Sequence, residues 1–253
     1  MPLGVYTLSV SGQGIVNTTY EVDVAATDEV TITVQRSETS EQPYWQTRNQ
    51  NVERNAVADA HVDPSFLDLA WESSAPGRTI FSSPVANEDT IVYTTDAGYV
   101  HAVDRDREET RWSYRTQSLN RSTPTIAGDY VYVTGGQNQR LYRIHLDTGV
   151  VDWEIVLDNV PIYESPLYHD GVLYLTSNIS GNTTVVAIQA EDGSELWRAE
   201  VQGDTYFGAA IAEEQLVVGS YSGRAIYALS LEDGSENWHV QTGSQEGFAA
   251  TLQ

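Results

Sequence analysis

The chain has 253 residues, enough for one large all-β body or for one body with a small partner. Its charge balance is extreme: 36 acidic residues against 13 basic ones give a net charge of −23, and every basic residue is Arg. Zero Lys removes the P-loop, Schiff-base and kinase lysines, and zero Cys removes disulfides, thiolate nucleophiles and Cys-ligated zinc. Nucleic acid is disfavoured as a partner, because phosphate binding needs clustered positive charge.

Forty per cent hydrophobic residues, with fifteen Tyr and six Trp, can bury a real core. The carboxylates are spread along the chain rather than run together. That favours a solvated surface suited to high salt, a composition resembling that of extreme halophiles, over a dedicated cation-binding or basic-partner surface. No apolar stretch approaches the roughly 20 residues of a membrane span. Met1 to Val10 lacks both the basic start and the apolar run of a signal peptide, so work outside the cell implies an export signal upstream of it.

In chain order, residues 1–35 hold three alternating segments: GVYTLSVSG from Gly4, YEVDVAA from Tyr20 and EVTITVQ from Glu29. They look like the last strands of an immunoglobulin-like sandwich, and three strands are too few to stand alone. Residues 36–65 read as a polar linker and a lead-in, with Trp45 in PYWQTRNQN. From residue 66 to residue 253 a repeat takes over. Trp71, Trp112, Trp153, Trp197 and Trp238 are spaced by 41, 41, 44 and 41 positions.

Thirteen-residue windows ending on the last four Trp align without a gap: VHAVDRDREETRW, LYRIHLDTGVVDW, VVAIQAEDGSELW and IYALSLEDGSENW. Their fourth column is always aliphatic (Val103, Ile144, Ile188, Leu229). Gly149, Gly193 and Gly234 share a column where a tight turn requires φ > 0, and Glu108 departs from it. About a dozen residues after each Trp comes a second landmark: Ser83-Pro84, Thr123-Pro124, Ser165-Pro166, Ala209-Ala210 and Ala249-Ala250. A turn and a strand follow, as in YVYVTG from Tyr130. The pattern describes four short strands per unit, with no sustained helical period, and 41 to 44 residues is the size of one propeller blade.

The run Tyr142…Asp147-Thr148-Gly149…Trp153, with Tyr227…Asp233-Gly234…Trp238, resembles the pyrroloquinoline-quinone-type (PQQ-like) repeat of quinoprotein dehydrogenases and of the lipoprotein subunit of the bacterial outer-membrane assembly machine. A WD40 repeat has a similar period, but its Gly-His pair and its Asp after the Trp do not recur here. The expected fold is an all-β propeller of four-stranded antiparallel blades, about four complete plus a partial one, after a partial immunoglobulin-like segment. Seven or eight blades generally close such a ring. The chain is therefore a segment of a longer protein, or an open ring completed by further blades or a second copy. In the resembling family the Trp staples neighbouring blades, and an indole buries roughly 200 Å², so packing is the expected role of all five.

The enzymes of that family hold their quinone against a vicinal cysteine pair, with calcium and an Asp base nearby. Without Cys that pair is absent. Asp104, Asp106, Glu108 and Glu109 mimic the alternate spacing of a calcium loop but lie at a turn interleaved with Arg105 and Arg107, and read as solvated. Gly219-Ser220-Tyr221-Ser222-Gly223 misses a nucleophile elbow because Tyr221 stands where the Ser should be. His61, His101, His145, His169 and His239 show no metal spacing and read as structural or surface. Four acceptor sequences for N-glycosylation, at Asn17, Asn120, Asn178 and Asn182, point mildly to the cell exterior.

The expectation is a non-catalytic, cell-surface or secreted binding or scaffolding module, without cofactor and without metal, that presents loops to a protein or small ligand. The alternatives are a fragment of a quinoprotein-like oxidoreductase using PQQ with calcium, or the ligand-binding part of a larger receptor. The loops from each Trp strand to the next landmark vary while the strands repeat. They carry Arg78, Phe81, Phe207, Glu246 and Phe248, and Arg121, Tyr163, Glu164 and Tyr206 are expected to converge there as the core of a ligand site.

Overall fold

The computed structural model describes residues 5–10, 18–23, 46–48, 54, 82–116, 118, 121–157, 164–179, 181–205 and 208–243. The chain divides into two compact units, Met1–Pro43 with Ala58–Asp68, and Tyr44–Val57 with Leu69–Gln253. In the first, β1 (Val5–Val10) and β2 (Thr18–Asp23) form an antiparallel pair. The third strand expected there lies outside the described residues.

The second unit is a partial propeller. Blade 1 is β3 (Val85–Ala86), β4 (Thr90–Thr94), β5 (Tyr99–Asp104) and β6 (Thr110–Arg115). Blade 2 is β7 (Thr125–Ala127), β8 (Tyr130–Thr134), β9 (Arg140–His145) and β10 (Val151–Val156). Blade 3 is β11 (Leu167–His169), β12 (Val172–Ile179), β13 (Asn182–Gln189) and β14 (Glu195–Gln202). Blade 4 is β15 (Ala209–Ala212), β16 (Gln215–Ser220), β17 (Ala225–Ser230) and β18 (Glu236–Gln241). Each blade is a four-stranded antiparallel meander in sequence order. Each carries a bulge between its third and fourth strands, beside the Trp pair.

The core lies between blades rather than within them. One buried cluster joins Val85, Val92 and Val100 of blade 1 to Ile126, Val131 and Tyr142 of blade 2. A second joins Tyr132 and Leu141 to Leu173, Val186 and Ile188, and a third joins Tyr174, Val185 and Trp197 to Leu216, Val218 and Tyr227. A blade cannot bury both faces alone, so each depends on its neighbours.

Trp stitches these seams in one direction. The indole N–H of Trp112 donates to the Leu146 carbonyl at 2.6 Å, that of Trp153 to Ala190 at 3.2 Å, and that of Trp197 to Leu231 at 2.9 Å. In every case the acceptor stands three residues before the repeat glycine of the next blade. That glycine has positive φ, and at Gly149 and Gly234 a Cβ would lie 2.6 and 2.5 Å from the ring of the preceding blade's Trp. The glycine column therefore satisfies the turn and the seat of the indole together. Trp238 stands at 43% exposure and Val240 at 55%, on the outer strand of blade 4. Trp71 lies outside the described residues.

Most of the excess in the 44-residue repeat lies in one hairpin. Eight residues separate Thr176 from its ladder partner Val185, where five separate Thr94 from Val100 and six separate Thr134 from Leu141 and Gly219 from Ile226. The extra residues lengthen the β12–β13 ladder, which closes at Ile179 opposite Asn182.

Candidate functional site

The Ser-Pro landmark has a physical role. The Ser83 N–H donates to the Thr123 hydroxyl at 3.1 Å, and the Thr123 N–H donates to the Ser165 hydroxyl at 3.0 Å. Each landmark hydroxyl thus satisfies the same backbone position one blade earlier. One residue upstream, Ser82 and Ser122 accept from the hydroxyls of Thr94 and Thr134, at 2.8 and 2.6 Å. Thr125 adds a hydroxyl bond to the Pro166 carbonyl at 2.6 Å. Hydroxyls serve well here because they can donate and accept at once in a tight, buried space.

The upstream column then breaks. After Ser82 and Ser122 it reads Glu164 in blade 3 and Gly208 in blade 4. Two arginines of the lead-in meet the break. Arg48 forms an ion pair with Glu164 at 2.9 Å, and Arg54, 2% exposed, donates to the Ser165 carbonyl at 3.1 Å. A Cβ at Gly208, whose φ is +73°, would come 3.0 Å from the Arg54 guanidinium, so glycine leaves room for that side chain. The lead-in is held further by the Ile126 N–H donating to the Gln46 carbonyl at 2.7 Å, and by the hydroxyls of Thr47 and Thr125 at 3.1 Å. It therefore lies along the innermost strand of blade 2.

Burial governs the electrostatics of this cluster. It pulls Arg54 down to about 10, with Arg48 adding repulsion and Glu164 opposing both. Burial pushes the Glu164 carboxyl up, while Arg48 and Arg54 pull it back. A buried guanidinium beside a buried carboxylate is a pair in which neither partner tolerates loss of the other.

Of the four residues expected to form the ligand site, Arg121 and Glu164 are described and occupy the same kind of connection in successive blades. Arg121 is exposed, and Glu164 is turned to Arg48. Tyr163 and Tyr206 lie outside the described residues, as do Arg78, Phe81, Phe207, Glu246 and Phe248. The hairpins between second and third strands share this face. Asn138 of one donates to the Thr116 carbonyl at 2.8 Å, and the Leu157 N–H donates to the Gln139 carbonyl at 2.8 Å.

Sequence reasoning missed Arg48 and Arg54, and the signal that could have found them is the pair Glu164 and Gly208 in a Ser column. It also missed Arg143, which takes the place of Ala102, Ala187 and Ala228 opposite the Trp. Arg143 lies 3.5 Å over the Tyr130 ring and donates to Asp152 and to the Glu191 carbonyl of blade 3.

The acidic turn of blade 1 is a closed unit. Asp104 accepts from the N–H groups of Asp106 and Arg107 and from Arg111 at 3.0 Å, and Arg111 reaches on to Asp147 of blade 2. The Arg107 N–H is the main cause holding the Asp104 carboxyl below its ordinary range, with Arg111 adding to it. His101 is buried, bonded to Ser113 at 2.8 Å and stacked between Tyr93 and Tyr99. Among the described residues no three acidic or histidine side chains converge as a metal ion would require. No helix there is long and apolar enough to cross a membrane.

Four meandering sheets with indoles locked into the following turn define a β-propeller of the PQQ-like class. The family described as "Outer membrane protein assembly factor BamB" matches residues 39–166 and 160–252, and the chain belongs to it. No curated protein matches the sequence. Among solved structures it is similar to the quinohemoprotein alcohol dehydrogenase ADHIIG of Pseudomonas putida, at 19% identity and a TM-score of 0.68 over 83% of this chain and 42% of that one. It is also similar to a europium-containing methanol dehydrogenase, at 14% identity and a TM-score of 0.70 over 83% and 50%. A third likeness is BamB from Moraxella catarrhalis, at 16% identity and a TM-score of 0.57 over 68% and 52%. The chain spans about half or less of the length of these proteins.

Proposed function

We propose that this chain is a non-catalytic propeller module outside the cytoplasm that binds a protein partner through the face carrying Arg121 and the 164–166 connection. The observation that carries this reading is the Arg48–Glu164–Arg54 cluster. Where a small-ligand site would need open polar groups, the protein's own lead-in binds the carboxylate of Glu164 and places a guanidinium against the Ser165 backbone. The inner end of the connection is thus committed to structure, and recognition passes to its exposed rim, where Arg121 stands on a chain of strongly negative net charge. An exposed cation at a binding rim orients an acidic partner segment more than it adds affinity. The family's description as an assembly factor supports a protein partner. The absence of the cysteine pair that the resemblance demands of a quinone enzyme weighs against catalysis.

A photo-crosslinking residue at position 121, and another at Glu213 on the turn between β15 and β16, test this in envelopes of the native host. A discrete protein adduct from position 121 and none from position 213 is expected. Equal labelling from both refutes the binding face. Turnover of alcohols or sugars on adding the quinone, calcium and a dye acceptor refutes the non-catalytic reading.

A further inference from the structure

The four glycosylation acceptor sequences are not equal in the fold. Asn17 and Asn120 are outside the described residues. Asn178 lies on β12, and Asn182 opens β13 on the same hairpin. Asn182-Thr183-Thr184 is the acceptor whose three residues are all described with their side chains. Asn182 is exposed, and its side-chain amide makes no hydrogen bond among the described residues. It pairs with Ile179 at the end of the ladder, next to Gly181, which has φ +88° and where a Cβ would meet nothing within 4 Å. This is the hairpin that is longer in blade 3 than in the other three blades. The longer ladder places two acceptor asparagines, Asn178 and Asn182, on one hairpin.

We propose that Asn182 carries an N-linked glycan. A transferase outside the cytoplasm joins the Asn182 amide nitrogen to the anomeric carbon of a lipid-phosphate-linked sugar. The new N–C bond replaces the sugar–phosphate C–O bond, the lipid phosphate leaves with the electron pair, and the amide gives up one proton. The Thr184 hydroxyl that such an enzyme must read is buried in the finished blade, while Asn182 stays exposed. Transfer therefore precedes closure of blade 3, and the folded blade then holds the glycan clear of its neighbours. The inference rests on the extracytoplasmic placement proposed above.

The test is peptide mass spectrometry on the protein purified from its native host, alongside Asn182→Gln and Thr184→Val. Surface protease sensitivity in intact cells reports the location separately. A glycan mass on the peptide containing Asn182, absent from Asn182→Gln, is expected. Thr184→Val should also lose it, and Thr184→Ser should restore it while keeping a hydroxyl in the buried position. An unmodified Asn182 in a surface-exposed protein overturns the glycan and leaves the location standing. An unmodified, protease-protected protein overturns both. Far-UV circular dichroism of Asn182→Gln should match wild type, since the side chain is exposed.

Discussion

Trp197→Ala is the substitution that tests the blade seam most directly. The indole is 8% exposed, it donates to Leu231 at 2.9 Å, and the repeat glycine of blade 4 sits against its ring. Truncation removes the ring contacts and leaves a cavity, at a cost of about 3–5 kcal/mol. The orphaned Leu231 carbonyl adds little, because the Tyr174 hydroxyl also donates to it, at 3.4 Å. Trp238 has the same place in its blade but stands 43% exposed, so Trp238→Ala should cost about 1 kcal/mol or less. With a urea m-value of about 3 kcal/mol/M, a 4 kcal/mol loss lowers the unfolding midpoint by about 1.3 M. Urea titration followed by far-UV circular dichroism, in molar salt, reads both variants. Equal midpoints for Trp197→Ala and Trp238→Ala refute the directional seam.

Gly149→Ala and Gly128→Ala both place a Cβ at positive φ, but only the first drives it into an indole. Melting curves should show about 3 kcal/mol lost for Gly149→Ala, and about 1 kcal/mol for Gly128→Ala. Glu164→Gln leaves Arg54 buried without its carboxylate and should cost about 3 kcal/mol, whereas Arg111→Gln, on the more exposed acidic turn, should cost under about 1 kcal/mol. The net charge of −23 predicts that the thermal midpoint rises steadily from dilute buffer to molar salt, and an unchanged midpoint refutes the halophile-like reading. The Ser194 hydroxyl, and then its N–H, hold the Asp192 carboxyl below its ordinary range. A depressed carboxyl contributes stability above its unfolded pKa of about 3.9, lost as pH falls through the lower folded value. Ser194→Ala should therefore move the acid-unfolding midpoint upward, and an unchanged midpoint counts against the turn.

The blades were legible in the sequence because their information is local. A Trp, a glycine four residues before it and alternating strands recur at a fixed period, and each signal lies within about a dozen residues of the next. The seam was half legible. The Gly149 column reads as a turn from sequence, but that it also seats Trp112 from the preceding blade needs coordinates. The lead-in cluster was not legible. Arg54 and Ser165 are 111 residues apart, and nothing periodic links a single segment to a repeat. What could be seen was a broken column, Ser82 and Ser122 giving way to Glu164 and Gly208, and the break acquires meaning only when a guanidinium is found in it. From sequence Glu164 reads as a ligand-facing residue on a variable loop, and the structure shows it turned to Arg48.

The seam has a consequence for how such a chain can grow. Every repeat holds both halves of its own coupling, a tryptophan to present and a glycine-and-carbonyl seat to receive one. Duplicating a unit in the gene therefore creates one new junction that already matches, with no compensating change elsewhere. The coupling is also polar, like couplings on a train, so copies inserted in tandem add stability while a reversed unit does not. Glu108 marks the exception. A side chain where the seat should be makes blade 1 a poor recipient for an indole seated as the others are, so duplication should be tolerated between blades 1 and 4 and resisted ahead of them.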